Sequence, residues 1–341
     1  MTMYVGILGG GNISDTHARA ARSIAGLEIA AVYGPNREKA ARLGELYGGR
    51  VYDDLNKFFA HRPMDMVAIG SPSGLHAEQG MAAARRGLHV LVEKPIDITV
   101  ERADALITAC REAGVKLGVF FQDRVKPDVM KLKKLVDEGR LGKPILASGR
   151  VKWHRPPEYY GGSRWRGTWA LDGGGALMNQ GIHTVDLLLW LFGDVRRVYA
   201  KAITALHHVE VEDTLVATLE FANGAIGTLE AATSVYPGYR RRLELTGSEG
   251  TVILEHDRVI AADLRSPAPE FSAGQDGDAN PAATSPVVSD VSGHRAVFED
   301  FLRAIATGGT PRADGLEGCR SVRLAQAIYE SSRTGSPVVL L

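Results

Sequence analysis

Cysteine is nearly missing from this chain: Cys110 and Cys319 are the only two among 341 residues. A disulfide framework is thereby excluded, and two reduced thiols in a cytoplasmic protein are expected. No apolar run approaches the roughly 18 residues needed to cross a bilayer. An apolar strand already begins at Tyr4, so no signal peptide is expected. Neither sign of charge prevails, with 40 Lys and Arg against 40 Asp and Glu. The basic stripe or polybasic tail of a nucleic-acid binder is absent, as is any repeat of fixed period. The length that remains suffices for two domains, each with its own core.

Up to about Phe121, short β-branched runs alternate with alanine-rich helical stretches. Strands are expected at Tyr4–Leu8, Leu27–Tyr33, Met66–Ile69, Leu88–Val92 and Lys116–Phe120. Helices are expected at Ile13–Ser23, Arg37–Tyr47, His76–Arg86 and Thr99–Ala113. Continuous apolar strands separated by helices predict a doubly wound parallel sheet over residues 1–121. Over 122–341 the pattern becomes α+β with a large, mostly antiparallel sheet. A helix (Pro127–Glu138), a strand (Pro144–Val151), an aromatic loop (Lys152–Leu171) and a helix (Gly175–Phe192) come first. Strands at Val195–Ala205, Val211–Phe221, Ala225–Ala232, Tyr239–Thr246 and Gly250–Glu255 follow, with Asn223-Gly224 as a hairpin turn. Residues 266–293, rich in Pro, Ser, Ala, Gly and Asp, read as a long loop. Two closing helices, His294–Thr307 and Gly315–Thr334, are expected to pack back across the molecule.

The first strand ends in Gly9-Gly10-Gly11-Asn12-Ile13-Ser14. This matches G-x-G-x-x-G except for serine at the third position, which is small enough for a helix to approach the sheet. Gly9 permits the turn, Gly11 lets backbone approach a pyrophosphate, and the helix opening at Asn12 and Ile13 offers unpaired N–H groups. After the second strand the acid that would bind a ribose 2′-hydroxyl is missing. Gly34-Pro35-Asn36-Arg37 stands there, and Arg37 can pair with a 2′-phosphate or simply face water. NAD(P) is therefore expected, with NADP favoured slightly and NAD still open. At the same sheet edge lie Ser71, Pro72 and His76; taken alone, His76 reads as a first-turn helix residue facing water.

The fourth strand runs into Glu93-Lys94-Pro95. This places a lysine at the carboxyl end of a buried parallel strand, where such sheets bind ligands. A buried lysine beside a cationic ring loses its proton more readily and can shuttle it. In the second half, Asn179 and His183 are four apart on a helix entered through Gly173-Gly174-Gly175, with Asp186 near the same stripe. An imidazole suits accepting a proton from an alcohol. A metal held by His183 and Asp186 lacks further ligands. His207, His208, Glu210, Glu212 and Asp213 read as a rim of solvated charge on an alternating strand. Arg155, Arg164 and Arg166, with Tyr160, Trp165 and Trp169, form a cluster of guanidinium and aromatic groups that can hold a carboxylate or phosphate, although each aromatic alone is as readily packing.

With these segments together, the chain resembles the Gfo/Idh/MocA oxidoreductases over nearly its full length. The glycine loop, Ser71-Pro72 with His76, Gly87 to Pro95, Glu138 to Gly142, Gly173 to Asp186 and Tyr329 to Gly335 carry the likeness. The resemblance implies a Rossmann domain followed by a domain whose open sheet serves assembly, hence a homodimer or homotetramer. Ser71, Pro72, His76, Glu93 and Lys94 join Gly9, Gly11, Asn12, Ile13 and Arg37 as implied cofactor contacts. It implies that Lys94 and His183 face the substrate over the nicotinamide. Many members carry aspartate four residues before the histidine; this chain has Asn179, which orients but cannot carry a proton. Arg155, Tyr160, Trp165, Arg166 and Asn179 are the expected substrate contacts. The expected activity is NAD(P)-dependent hydride transfer at a secondary hydroxyl or ketone of a sugar, sugar acid, nucleotide sugar or cyclitol. A redox-assisted lyase or glycosidase and a non-catalytic cofactor sensor stand as alternatives.

Overall fold

The computed structural model describes residues 2–271 and 290–340. It divides the chain into two compact units, Met1–Gln122 with Val287–Cys319, and Asp123–Pro286 with Arg320–Leu341.

In the first unit the elements run β1 (Met3–Leu8), α1 (Asn12–Arg22), β2 (Leu27–Tyr33), α2 (Arg37–Tyr47), β3 (Arg50–Tyr52), α3 (Leu55–Phe59), β4 (Met66–Ile69), α4 (His76–Ala84), β5 (His89–Val92), α5 (Val100–Glu112) and β6 (Leu117–Val119). The strands form one six-stranded sheet, ordered β3-β2-β1-β4-β5-β6 and parallel throughout. All four residues of β4 are buried, as a strand covered on both faces requires. Strand order reverses between β1 and β4, the place where such sheets open a crevice at their carboxyl ends. Leu8 lies opposite Ile69 there, and the Gly70 amide donates to the Leu8 carbonyl (2.8 Å). Strand β3 and helix α3 were not anticipated. A three-residue edge strand that starts on an exposed arginine leaves no apolar pattern to read.

The second unit contains α6 (Pro127–Asp137), β7 (Pro144–Lys152), α7 (Pro157–Gly161), a π-helical turn (Ala176–Gly181) leading into α8 (Ile182–Phe192), then β8 (Val195–Ile203), β9 (Thr214–Phe221), β10 (Ile226–Ala232), β11 (Arg242–Gly247), β12 (Gly250–Glu255), β13 (Arg258–Leu264) and β14 (Val338–Val339). Its eight strands are ordered β13-β12-β11-β7-β10-β9-β8-β14, antiparallel except where β7 meets β10. Leu187, Leu188 and Leu191 of α8 are buried. Gly149 of β7 leaves the space that the Thr184 methyl needs, since a Cβ there would lie 2.9 Å from it. Asn223-Gly224 makes the expected hairpin turn between β9 and β10, with Gly224 at φ 89°.

Two expectations are corrected and one strand is added. The helix over Gly175–Phe192 is not regular, because its first part is a π turn. Strand β13 lies between the strand expected to end at Glu255 and the loop expected from Ser266, and is an addition: His256 and Asp257, both at positive φ (46° and 70°), form a two-residue turn that pairs it with β12. Asp tolerates that conformation better than most residues, but neither residue advertises it as glycine would. Residues 204–213 are not strand but irregular backbone. The long loop expected at 266–293 falls mostly on 272–289, outside the described residues; helix Ser292–Thr307 begins two residues earlier than expected. Helix Gly315–Thr334 has the expected bounds.

Candidate active site

The glycine loop is shaped by two different demands. Gly9 sits at φ 127°, and a Cβ there would run into the Ser14 hydroxyl and lie 2.7 Å from the Gly70 carbonyl. Its glycine is required by packing among β1, β4 and α1. Gly11 has an ordinary φ of −91°, and a Cβ there would meet nothing within 4 Å. Helix α1 begins with no side-chain cap, so its first N–H groups, beginning at exposed Asn12 and half-buried Ile13, have no side chain to accept them. Ser14 is fully buried, and its hydroxyl has no hydrogen-bond partner among the described residues. An open cradle at Gly11, an uncapped helix start and this orphaned hydroxyl fit a dinucleotide phosphate. Gly9→Ala should therefore cost about 1–3 kcal/mol of stability. Gly11→Ala should leave the unfolding midpoint in place while weakening dinucleotide binding roughly tenfold, about 1.4 kcal/mol. Thermal melts and a binding titration on the two variants check this.

After β2, Asn36 caps α2 by accepting from the Lys39 amide (3.0 Å), and Arg37 is exposed beside it. No carboxylate stands between Tyr33 and Arg37. After β4, Ser71 donates to Gln79 (2.6 Å), and half-buried Pro72 starts a short 3-10 turn, Ser73–Leu75. His76 corrects the reading of a residue facing water, for it is 1 % exposed. Its ring lies between two carbonyls, Nδ1 at 2.8 Å from Pro95 and Nε2 at 3.0 Å from Ser71. Burial lowers its pKa, against the pull of those carbonyls and of Asp97 and Glu93. The imidazole thus fastens the β4 loop to the β5 loop. Asp97 adds to this, accepting from the Ala77 amide (2.7 Å) and Arg102 Nε (2.7 Å).

Lys94 follows β5 and is half-buried; its peptide bond to Pro95 is cis. Glu93, expected among the cofactor contacts, turns its carboxylate into the protein instead. Its Oε1 lies 3.0 Å from Nε2 of His17 on α1 and 3.5 Å from Nε2 of His294. Although burial pushes its carboxyl up, the two histidines outweigh this and hold it well below the usual carboxylate range. The trio has the spacing of metal ligands. Yet Nδ1 of both rings is buried without a hydrogen-bond partner among the described residues, and His17 stacks on Phe120 (4.3 Å). Histidines that hold a metal normally donate that second nitrogen to an acceptor. The trio ties α1, the end of β5 and helix Ser292–Thr307 together.

In the second unit His183 opens α8. Its Nδ1 lies 3.5 Å from Oδ2 of Asp123, a buried carboxylate that Arg241 also grips; the other arm of Arg241 reaches Asp257. Burial would raise the Asp123 pKa, but the Arg241 guanidinium and His183 together hold it below the ordinary carboxylate range. Asp186 is spoken for by Arg124, whose Nε and Nη2 reach its two oxygens at 2.8 and 2.6 Å. It is an anchor for α8, not a ligand beside His183. Asn179 donates to Asp172 (2.6 Å) and accepts from Gln180 (2.8 Å) and Tyr159 (3.4 Å).

Two expected substrate contacts are too buried for that part. Arg155 is 1 % exposed; it donates to the His154 carbonyl and to Gln180 (both 3.1 Å), with its guanidinium over Trp153 and Tyr159. Tyr160 shares a hydrogen bond with Thr233 (2.8 Å) and packs its ring on His207. Trp165 and Arg166 are half-buried, and the Arg166 guanidinium lies over the Tyr159 ring (4.5 Å) and the Trp165 ring (5.3 Å). Trp169 packs edge-on against Tyr329.

The rim of solvated charge is also corrected, because His207, Glu212 and Asp213 are buried. Asp213 accepts the amides of Ala205, Leu206 and His207. Glu212 accepts the amides of Gly175 (2.9 Å) and Leu177 (2.8 Å) and the Tyr329 hydroxyl (3.1 Å). A Cβ at Gly175 would collide with the Glu212 carbonyl, so the glycine run is what admits this strut. Burial pushes the Glu212 carboxyl up to about 7 against those hydrogen bonds. A raised folded-state pKa means that the folded chain binds this proton more tightly. Stability should then fall as pH rises from about 4.5 to about 7, by about 3 kcal/mol at most. Glu212→Gln should flatten that part of a stability-against-pH curve, as denaturant midpoints would show.

Asp123, Arg241, Asp172, Glu212 and Tyr329 were not singled out from sequence as site residues. Asp123 stands as a charged pair with Arg124 shortly after an apolar strand, Glu212 lies in the charged run 207–213, and Tyr329 opens the last segment of the family likeness.

Residues 3–121 match the model of an oxidoreductase family with an NAD-binding Rossmann fold. Residues 129–253 match the Gfo/Idh/MocA C-terminal domain. The WlbA dehydrogenase of Bordetella pertussis, solved with NADH and UDP-GlcNAcA, is 33% identical with a TM-score of 0.91, over 100% of this chain and 98% of that one. D-xylose 1-dehydrogenase (NADP(+)) 2 of Haloferax volcanii is 30% identical over 99% of this chain and 100% of its own. Inositol 2-dehydrogenase of Rhizobium meliloti is 26% identical over 97% of each. With its parallel nucleotide-binding sheet and its antiparallel partner domain, the chain belongs to the Gfo/Idh/MocA oxidoreductases, as an NAD-binding enzyme acting on CH–OH groups of sugars and related compounds.

Proposed function

We propose that this protein is an NAD(P)-dependent dehydrogenase or reductase of a secondary hydroxyl or ketone on a sugar acid or nucleotide-linked sugar acid. The observation that carries the substrate class is Arg166, a half-buried guanidinium laid across Tyr159 and Trp165. Aromatic faces suit sugar C–H surfaces, and a stacked arginine suits a carboxylate or phosphate. The WlbA relative, solved in complex with NADH and UDP-GlcNAcA, supports the same reading.

Gly11 and the start of α1 would hold the pyrophosphate, with Ser71 and Pro72 at the neighbouring loop. The nicotinamide, when bound, supplies the hydride acceptor or donor. In oxidation His183 takes the hydroxyl proton on Nε2, and Lys94 hydrogen-bonds the same oxygen and stabilises its developing charge. Asn179, already held by Asp172, accepts from Gln180 and from Tyr159, whose ring lies under the Arg166 guanidinium. We place the enzyme in the cytoplasm, in keeping with two buried cysteines that form no disulfide. No helix among the described residues is long and apolar enough to cross a membrane. Self-association is assigned to the outward sheet face, where Tyr199, Val216 and Ile226 are exposed.

A panel of neutral sugars, cyclitols, sugar acids and nucleotide sugar acids, run separately with NAD and NADP and read as reduced cofactor, tests the proposal. Turnover should favour the acids, and activity on neutral sugars alone would overturn the class. With no carboxylate after β2 to repel a 2′-phosphate, NADP should serve at least as well as NAD. Arg37→Glu should then lower kcat/KM for NADP roughly tenfold relative to NAD, about 1.4 kcal/mol.

A further inference from the structure

We propose that Asp123 is the positioning carboxylate of His183, supplying from the start of the second unit the charge that position 179 lacks. The inference rests on the reading of His183 as the proton acceptor. Asn179, one turn before the histidine, is an amide and donates to Asp172 rather than supplying charge. A carboxylate beside the imidazole comes instead from the short 3-10 turn Gln122–Val125, sixty residues earlier in sequence. Its Oδ2 stands 3.5 Å from Nδ1, and both side chains are largely shielded from water. At that separation the contact is electrostatic, and it tightens toward a hydrogen bond as the ring gains a proton.

The geometry sets the tautomer. A carboxylate facing Nδ1 favours the proton there, which leaves the Nε2 lone pair to receive a proton from substrate. Asp123 cannot swing away, because Arg241 grips it while Asp257 grips Arg241. Lys126, His256 and Asp257 also act on Asp123 by charge. Arg241 keeps Asp123 ionised and also tempers it. The carboxylate therefore faces His183 with its charge shared with Arg241.

The test follows the imidazole itself by 15N NMR of the whole protein, with the His183 signal identified by its absence from His183→Gln. The native protein should show the Nδ1–H tautomer, and an Nε2–H tautomer would overturn the proposal without any Asp123 variant having to fold. In Asp123→Asn the His183 pKa should fall by about one unit. Its kcat should drop at least roughly tenfold with KM little changed, and the acid limb of the pH profile should move down with the pKa. A His183 titration identical in native protein and Asp123→Asn sinks the idea, even if turnover collapses, for Asp123 would then be structural only. If His183→Ala keeps its turnover, the functional reading fails separately, whatever the NMR shows of the pair.

Discussion

His183→Ala should lower turnover by roughly 10²–10⁴-fold, the range for losing a positioned general base, while dinucleotide affinity stays within about twofold of native. Cofactor binding is assigned to Gly11 and the start of α1, which belong to the other unit. The fold should also survive. Removing the ring takes one partner from Asp123, but Arg241 continues to hold that carboxylate, so no buried charge is abandoned. A stable variant that binds cofactor and does not turn over is thus the expected result. Lys94→Ala should behave alike through a different term, since under the proposed mechanism it removes a donor to the reacting oxygen rather than the proton acceptor. A titration of reduced-cofactor fluorescence beside steady-state rates separates binding from chemistry. Near-native turnover in both variants would reject the assigned roles.

What was legible in the sequence and what was not divides along physical lines. Parallel strands buried on both faces read as unbroken apolar runs, so β1, β2, β4 and β5 could be placed from residue type alone. The Gly9–Ser14 segment was legible because a strand, a turn and a helix surround it, and the structure distinguishes Gly9, needed for packing, from Gly11, open to a ligand. Partner choice was not legible. Asp186 was grouped with His183 by helical spacing, but Arg124 claims both its oxygens. Glu212 and Asp213 looked like surface charge because a carboxylate shows no sign in sequence of the backbone amides it will accept. His76 and Arg155 misled for a related reason: polar side chains default to water unless buried carbonyls or aromatic faces receive them. The Asp123–His183 pair spans sixty residues and two elements, and no periodic pattern reaches that far.

Arg124→Ala should be the most destabilising of the substitutions considered, by about 3–5 kcal/mol, because it strands Asp186. Two near-parallel hydrogen bonds join the pair, and neither side chain is more than 2 % exposed. The guanidinium also lies over the Trp190 ring (5.0 Å), so packing is lost along with charge. Ser321, whose hydroxyl is 3.5 Å from Asp186, cannot compensate a full negative charge. Replacing both members, as Arg124→Met with Asp186→Leu, should restore most of the stability, since two apolar side chains of similar size avoid the desolvation cost that the pair bears. The position of the pair gives the comparison a second use. Asp186 lies three residues beyond His183 on α8, and Arg124 directly follows Asp123. If the pair serves only stability, the double variant should regain turnover with its fold. If it also sets the register of the Asp123 carboxylate on the imidazole, the double variant should be stable yet slow, with KM unchanged. Chemical denaturation with kinetics on the same samples gives both answers, and an unmoved unfolding midpoint in Arg124→Ala would contradict the assignment of this ion pair as an anchor of α8.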